Sequence, residues 1–433
     1  MAFKIGLLGL GTVGTATAEI LLNPQKRHPL LQEIEIQRVG VRSPDKSRDV
    51  QLPPDIITTD LEAIVSDSSI DIVVELLGGL EPARSLILKA ISHHKHVVTA
   101  NKAVISRYGS EIFSAASQAG VYVLIEAAVG GGIPVIQPLK HSLSANRINR
   151  ILGIVNGTTN YILTEMAAEG SDFADVLAEA QQLGYAEADP TADVDGFDAA
   201  DKIVILAETA FGEQVELEDV HREGIGKVSA LDIGYAERLG FAIKLLAIAQ
   251  DSPATPDSLE VRVHPTLVPK DHPLASINGV NNAILVEGEP IGQVMFFGPG
   301  AGGGATASAV VSDIMNIAGI LQTCGRTETP HPLLSTAPQQ QCSVTPMEEL
   351  VTRFYARILC VDYPGVIGSL GTCFGRHDVS LESIVQIDFQ NGLAEIVVVT
   401  HDVREGNFRS ALDEISNLDA INNVSIPSVL RVL

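Results

Sequence analysis

Over the first 127 positions, short apolar runs alternate with amphipathic stretches. Runs at 4–8, 35–41, 70–77, 97–100 and 121–127 have the length of buried strands, and 15–22, 82–92 and 109–119 read as helices between them. Strands alternating with helices predict an open parallel sheet, which binds ligands outside the carboxyl ends of its strands. A second pattern follows. A strand at 150–155 leads through Asn156-Gly157-Thr158-Thr159-Asn160 into a helix at 161–168, and a helix at 173–183 precedes an acidic segment. From Phe197 onward the next helix is apolar nearly all round, which predicts burial. A stretch at 327–350 rich in Pro, Gln, Ser and Thr reads as a linker. Beyond it come a strand (353–361), a helix (368–377), strands at 381–389 and 394–400 around a turn at 390–392, a helix (407–418) and a last strand (424–433). This βαββαβ order predicts a module with its own core.

The expected division is 1–133 for a nucleotide domain and 134–305 for an α+β substrate domain. A helix at 306–326 returns to the nucleotide domain, 327–350 is the linker, and 351–433 is the C-terminal module. At 433 residues the chain is too long for one core. Its 45% hydrophobic and 19% charged residues describe a globular protein, with no uncharged apolar run long enough to span a membrane. The formal charge of −24 argues against nucleic acid and anionic membranes as partners. Cys324, Cys342, Cys360 and Cys373 lack paired spacing and suit a reducing, cytoplasmic compartment. Met-Ala-Phe-Lys-Ile-Gly enters a strand at once, with no room for a signal peptide.

Gly9-Leu10-Gly11-Thr12-Val13-Gly14 lies between the first strand and the first helix, the context in which GxGxxG binds a dinucleotide. The first glycine permits the turn, the second lets the backbone approach the pyrophosphate, and the third lets the helix pack on the strand. Helix N–H groups then meet the phosphates. The second strand ends in Val41-Arg42-Ser43 where an NAD site carries an acidic residue, so NADP is favoured and NAD is the alternative. Arg42 reads otherwise as a surface arginine. Lys102, in Thr99-Ala-Asn-Lys at a strand's carboxyl end, faces cofactor or substrate, or is a solvated loop lysine. Glu126 ends an apolar strand beside Ala-Ala-Val-Gly-Gly-Gly-Ile-Pro. One carboxylate with backbone carbonyls suits a monovalent ion; the alternatives are a helix cap or a solvated side chain.

The acidic segment Leu183-Gly-Tyr-Ala-Glu-Ala-Asp-Pro-Thr-Ala-Asp-Val-Asp-Gly-Phe-Asp-Ala-Ala-Asp-Lys202 is the most informative in the chain. Asp198 and Lys202 are four apart and share a helix face. A buried pair of this kind stabilises little, because desolvation offsets attraction, so its presence points to chemistry. The alternative is an exposed pair worth ~0.3–0.5 kcal/mol. Lys202 would act as general acid and base, with Asp198 fixing it and accepting from a substrate hydroxyl, while Glu187 or Asp193 pairs with an ammonium group. The 156–160 loop offers N–H and hydroxyl donors to a substrate carboxylate, or is an ordinary capping turn. Phe296-Phe-Gly-Pro-Gly-Ala-Gly302-Gly-Gly-Ala-Thr306, before a helix at 307–321, is a second glycine-rich loop positioned to approach the cofactor.

These segments closely resemble the homoserine dehydrogenase family, and the resemblance runs along essentially the whole chain. The carriers are the Gly9–Gly14 motif, the Asn-Gly-Thr-Thr-Asn-Tyr-Ile-Leu run and Leu-Gly-Tyr-x-Glu-x-Asp-Pro leading to Gly-x-Asp-x-x-x-Lys. Asp362-Tyr-Pro-Gly-Val, at the first strand–helix turn of the C-terminal module, resembles the start of an ACT domain. The implied fold is a Rossmann-type doubly wound parallel sheet, an α+β catalytic and dimerisation domain and a ferredoxin-like ACT domain, in the monofunctional form. The implied reaction is reversible NAD(P)H-dependent reduction of L-aspartate 4-semialdehyde to L-homoserine, in the pathway to threonine, methionine and isoleucine. The resemblance implies Lys202, Asp198 and Glu187 as catalytic, with Gly157, Thr158, Tyr185 and Asp193 completing the substrate site. Cofactor residues are Gly9–Gly14, Arg42, Lys102, Gly184 and Gly302. A sodium-type site uses Glu126 with backbone oxygens of Val129, Gly131 and Ile133. It also implies a homodimer or homotetramer and an amino-acid effector, L-threonine, at the ACT module. From the residues alone, a dehydrogenase of another amino acid, an aldehyde-type reductase, or a non-catalytic NADP sensor stay open.

Overall fold

Six short apolar strands pair in parallel in the order β3-β2-β1-β4-β5-β6, where β1 is Phe3–Leu8, β2 Ile34–Gly40, β3 Ile57–Thr58, β4 Ile72–Glu75, β5 His96–Thr99 and β6 Val123–Leu124. The helices α1 (Thr12–Leu22), α2 (Leu61–Ser66), α3 (Ala83–Ser92) and α4 (Lys102–Ala119) connect them. The chain leaves β1 in one direction to β2 and β3 and in the other to β4, so the sheet is doubly wound with its switch point at the carboxyl ends of β1 and β4. This architecture belongs to a computed structural model describing residues 2–46, 48–253, 255–325, 331–334, 340–390, 393–417 and 424–433. It divides into two compact units. The first is Met1–Ile151, Asp201–Leu217 and Asn282–Gln341; the second is Leu152–Ala200, Glu218–Asn281 and Cys342–Leu433.

The first unit's core gathers Ile5, Leu7, Val39, Ile72 and Val98 from the sheet with Val310, Ile314 and Ile317 from the helix Gly303–Cys324. That helix is long and apolar enough to cross a membrane by length and composition, yet its Ala307, Val310, Ile314 and Ile317 are fully buried in this core. Several boundaries move from those read in the sequence. The first helix begins at Thr12 rather than 15, and α4 at Lys102 rather than 109. Asn101 explains the second shift, because its side chain accepts from Val104 N at 3.3 Å and caps the helix upstream of Gly109. β3 and α2 escaped the apolar pattern because each is too short to show a period.

In the second unit, strands Phe241–Asp251 and Ser258–Pro269 form a long antiparallel pair. The C-terminal module folds as βαββαβ, as its pattern predicts, with sheet order Ser425–Val432, Val351–Val361, Leu393–Thr400, Leu381–Gln390. Helices Val366–Arg376 and Glu405–Ser416 supply Leu370, Phe374, Phe408 and Ile415 to its core, where the Phe354 and Phe408 rings stack at 4.2 Å. Of the stretch read as a linker, 327–330 and 335–339 lie outside the described residues, as do the turn positions 391 and 392. Its described part includes two short strand pairings: Gln340–Gln341 with Glu213–Gln214 in the first unit, and Ser343–Val344 with Ser258 and Leu259 in the second.

Within the second unit, the module is joined to the preceding strands by backbone and by charge. Ser425–Val432 pairs in parallel with Ser258–Pro269 at Thr266 and Leu267. Arg357 holds Asp232 and Glu395, each at 2.8 Å, and Glu395 accepts from Tyr235 Oη at 2.7 Å. Arg431 holds Glu405 at 2.7 Å and Glu223 at 2.9 Å. Both arginines are buried, so each carboxylate is needed to offset desolvation. Arg357→Met should therefore leave Asp232 as an unpaired buried charge and lower the unfolding free energy by ~3–5 kcal/mol. Urea denaturation measures it; a loss under ~1 kcal/mol would mean the cluster behaves like a surface pair.

Candidate functional site

The nucleotide half is built where β1 ends. Gly9 has φ +103°, and a Cβ there would lie 2.7 Å from the Leu76 carbonyl oxygen; one on Gly14 would lie 2.2 Å from the carbonyl oxygen of Gly9. Larger residues at either position would open the turn. Gly11 caps α1 without a side-chain bond, and Gly302, at φ +113°, does the same for Gly303–Cys324. The two helix starts meet, since a Cβ on Gly303 would be 3.0 Å from Thr12 Cγ2. Two helix N-termini without side-chain caps, one beside the other, form a cradle for a pyrophosphate. The residues present thus fit a dinucleotide. Arg42 is exposed just beyond β2, and the Ser43 carbonyl accepts from Arg48 Nη2 at 2.8 Å, which folds the following loop back on itself.

Glu75 is fully buried at the end of β4, where an otherwise apolar strand hides it from a hydropathy pattern. Its carboxylate accepts from Thr99 Oγ1 at 2.6 Å and from Leu77 N at 2.7 Å, and burial raises its pKa. Thr99 Oγ1 accepts from Asn101 N, and Asn101 Nδ2 donates to the Gly79 carbonyl. This network sets the Thr99–Lys102 corner, so Lys102 opens α4 rather than lying in a loop.

In the substrate half, Asn156 does three things at once. Its side-chain Oδ1 accepts from Thr159 N at 2.8 Å and caps the helix Gly157–Glu169. Its amide donates to Asp193 at 2.7 Å and to Asp198 at 2.8 Å. Gly157 and Thr158 therefore lie in the first helical turn, not in a loop before it. Thr158 Oγ1 donates to the Tyr185 carbonyl at 2.7 Å, and the Tyr185 ring rests 4.9 Å from that of Tyr161. Gly184 takes φ +78°. Glu187 is exposed, and Gln181 Nε2 donates to its backbone carbonyl at 3.1 Å. Asp198 and Lys202 share the helix Phe197–Phe211 and are 7% and 9% exposed, which rules out a solvated surface pair. On the same helix Asp201 accepts from Ser106 Oγ and Arg107 Nη1, both at 2.8 Å. Two carboxylates on one amide can hold a cationic or hydroxyl-bearing ligand, and a buried lysine one turn on can exchange a proton.

Glu126 takes the helix-cap role that its position also allows. Its carboxylate accepts from the N–H groups of Val135, Ile136 and Gln137 at 2.6, 2.9 and 2.7 Å, capping the helix Ile136–Lys140. The three N–H groups take two acceptor positions on Oε1 and one on Oε2, so the side chain serves as a helix cap and any cation there would share its oxygens with those N–H dipoles. The neighbouring turn buries Val129, Gly131 and Ile133. Asp313, fully buried, accepts from Glu126 N at 2.8 Å, and burial followed by the Glu126 charge pushes its pKa up to about 8.

Family models match in three places: "Homoserine dehydrogenase, NAD binding domain" over 9–126, "Homoserine dehydrogenase" over 134–315 and "ACT domain" over 354–420. The chain is 67% identical over 435 residues to a homoserine dehydrogenase of Synechocystis sp., covering 100% of each. It is similar to the crystal structure of a homoserine dehydrogenase from Thiobacillus denitrificans, with TM-score 0.92 and 42% identity over 100% of this chain and 98% of that one. It also resembles a hyperthermophilic archaeal homoserine dehydrogenase in complex with NADPH, with TM-score 0.63 and 28% identity over 76% of this chain and 100% of that one.

Asp313 makes stability pH-dependent. Its folded pKa lies above the ordinary aspartate value of 3.8, so its contribution is complete below about 4 and is lost as pH rises through about 8. Asp313→Asn should flatten the fall in Tm between pH 5 and pH 8. Scanning calorimetry at the two pH values measures this, and an unchanged slope would place the titration elsewhere.

Proposed function

Because the chain belongs to the homoserine dehydrogenase family, we propose that this oxidoreductase interconverts L-aspartate 4-semialdehyde and L-homoserine, with NADPH preferred and NADH as the alternative. The observation that carries the reading is the pair Asp193 and Asp198 on one Asn156 amide, with Lys202 one turn beyond on a buried helix. When bound, the dinucleotide supplies the hydride that reaches the aldehyde carbon. Lys202 gives its proton to the aldehyde oxygen as that hydride arrives, and takes it back from the hydroxyl in the reverse direction. Asp198 accepts from the substrate hydroxyl and orients Lys202. Glu187 or Asp193 pairs with the ammonium group, and the N–H groups at Gly157 and Thr158 take the carboxylate, with Tyr185 closing the site. No step draws on a cation.

The dinucleotide rests on residues 9–14 and on Gly302, with Lys102 and Gly184 beside it and Arg42 on the 2′-phosphate. The NADPH complex of the archaeal relative supports this cofactor. The domain division at 1–133, 134–305, 306–326, 327–350 and 351–433 is part of the same proposal. So is control by an amino acid, L-threonine, bound at the ACT module of a homodimer or homotetramer, which the ACT match supports.

The direct test is NADPH oxidation by the purified chain with aspartate semialdehyde. Lys202→Ala should retain dinucleotide binding and lose ~10²–10⁴ in kcat. Turnover within a few-fold of wild type would remove Lys202 from the chemistry.

For cofactor choice, Arg42→Asp should lower kcat/KM for NADPH and raise the NADH-to-NADPH ratio, because a carboxylate repels the 2′-phosphate that a guanidinium holds bidentately. An unchanged ratio would show that Arg42 does not read that phosphate.

A further inference from the structure

We propose that Cys373, His377 and Glu414 form a binding site for a borderline divalent transition metal, zinc in the first place, that clips together the two helices of the C-terminal module. Cys373 lies on the helix Val366–Arg376, His377 is the residue that caps its end, and Glu414 lies on Glu405–Ser416. Cys373 and His377 are four apart, the spacing that sets two side chains on one helix face. One ligand atom from each of the three residues lies within 4.8 Å of the others. His377 Nε2 is 2.7 Å from Glu414 Oε2. The Cys373 thiol reaches across to the second helix, 3.6 Å from the Ala411 carbonyl.

The donor set selects the metal. Sulfur, imidazole and carboxylate together suit zinc or cobalt, whereas magnesium and calcium require oxygen alone. Bond lengths of ~2.0–2.3 Å need the three donors to draw together slightly, which side-chain rotation provides. Thiolate and carboxylate neutralise the dication. Cys373 is buried beneath, while His377 and Glu414 are half-exposed, so the fourth position opens to solvent and takes water. Arg376 Nη1 now contacts Glu414 Oε1 at 2.9 Å. Arg376 is itself exposed, and on metal binding it moves into solvent. An ion pair accounts for His377, Glu414 and Arg376, and the Cys373 thiol at the edge of the module's core adds a third donor at the same point.

The test uses the full chain, stripped with a chelator and titrated with cobalt(II). One metal per chain is expected, with a thiolate-to-cobalt charge-transfer band that zinc bleaches and a Tm that rises with zinc. Cys373→Ser should abolish the band, and Cys324→Ser, at an exposed thiol, should keep it. Because Cys373 lies in the module's core, His377→Gln provides a second variant at a half-exposed site and should weaken cobalt binding while leaving Tm without metal unchanged. No saturable band, or one that survives both Cys373→Ser and His377→Gln, overturns the proposal and leaves the trio as an ion pair beside a buried thiol.

Discussion

Charge that must be buried, and must therefore be partnered, organises this molecule. The helix Phe197–Phe211 carries Ile203, Val204, Ile205 and Leu206 at 0–1% exposure, yet it also buries Asp198, Asp201, Lys202 and Glu208. An unpaired carboxylate in such surroundings costs several kcal/mol, so each needs donors. Asp198 finds the Asn156 amide, Asp201 finds Ser106 and Arg107, and Glu208 finds Val215 N at 3.3 Å. The donors that meet this requirement also fix where the functional groups stand. Asn156 holds Asp193 as well as Asp198, and thereby assembles two acidic groups separated along the chain by a glycine-containing turn.

The same logic recurs at two other places. Glu75 closes the carboxyl edge of the parallel sheet by engaging Thr99, and Glu126 gathers three N–H groups to start a helix. In the second unit Arg357 and Arg431 tie the ferredoxin-like module to the buried Asp232 and the half-buried Glu223. Any effector of that module could act only by binding two conformations unequally. A cluster in which no partner can be lost cheaply is well suited to pass such a preference on, because it resists intermediate arrangements.

Periodicity and local chemistry made much of this legible. The strand–GxGxxG–helix unit, the βαββαβ order and the Asp198–Lys202 face each depend on residues a few positions apart. What stayed hidden depends on distant partners. Asn156 meets its aspartates across 37 and 42 positions, and Glu75 meets Thr99 across 24. Glu126 looked like a ligand at a strand end because its helix-capping partners arrive 9 to 11 residues later. Gly109 looked like a helix start, although Asn101 had already nucleated the helix. The stretch around 340–350 looked like a free linker because two-residue strand pairings leave no periodic trace.

The proposal that Asp198 and Lys202 act as one unit rests on their burial one turn apart on the same helix. A double-mutant cycle on kcat/KM, with Asp198→Asn, Lys202→Met and the pair together, tests it most directly. The account expects strong non-additivity, with the double variant little worse than the more damaging single one. Losses that simply add, with both single variants still binding the dinucleotide, would contradict it.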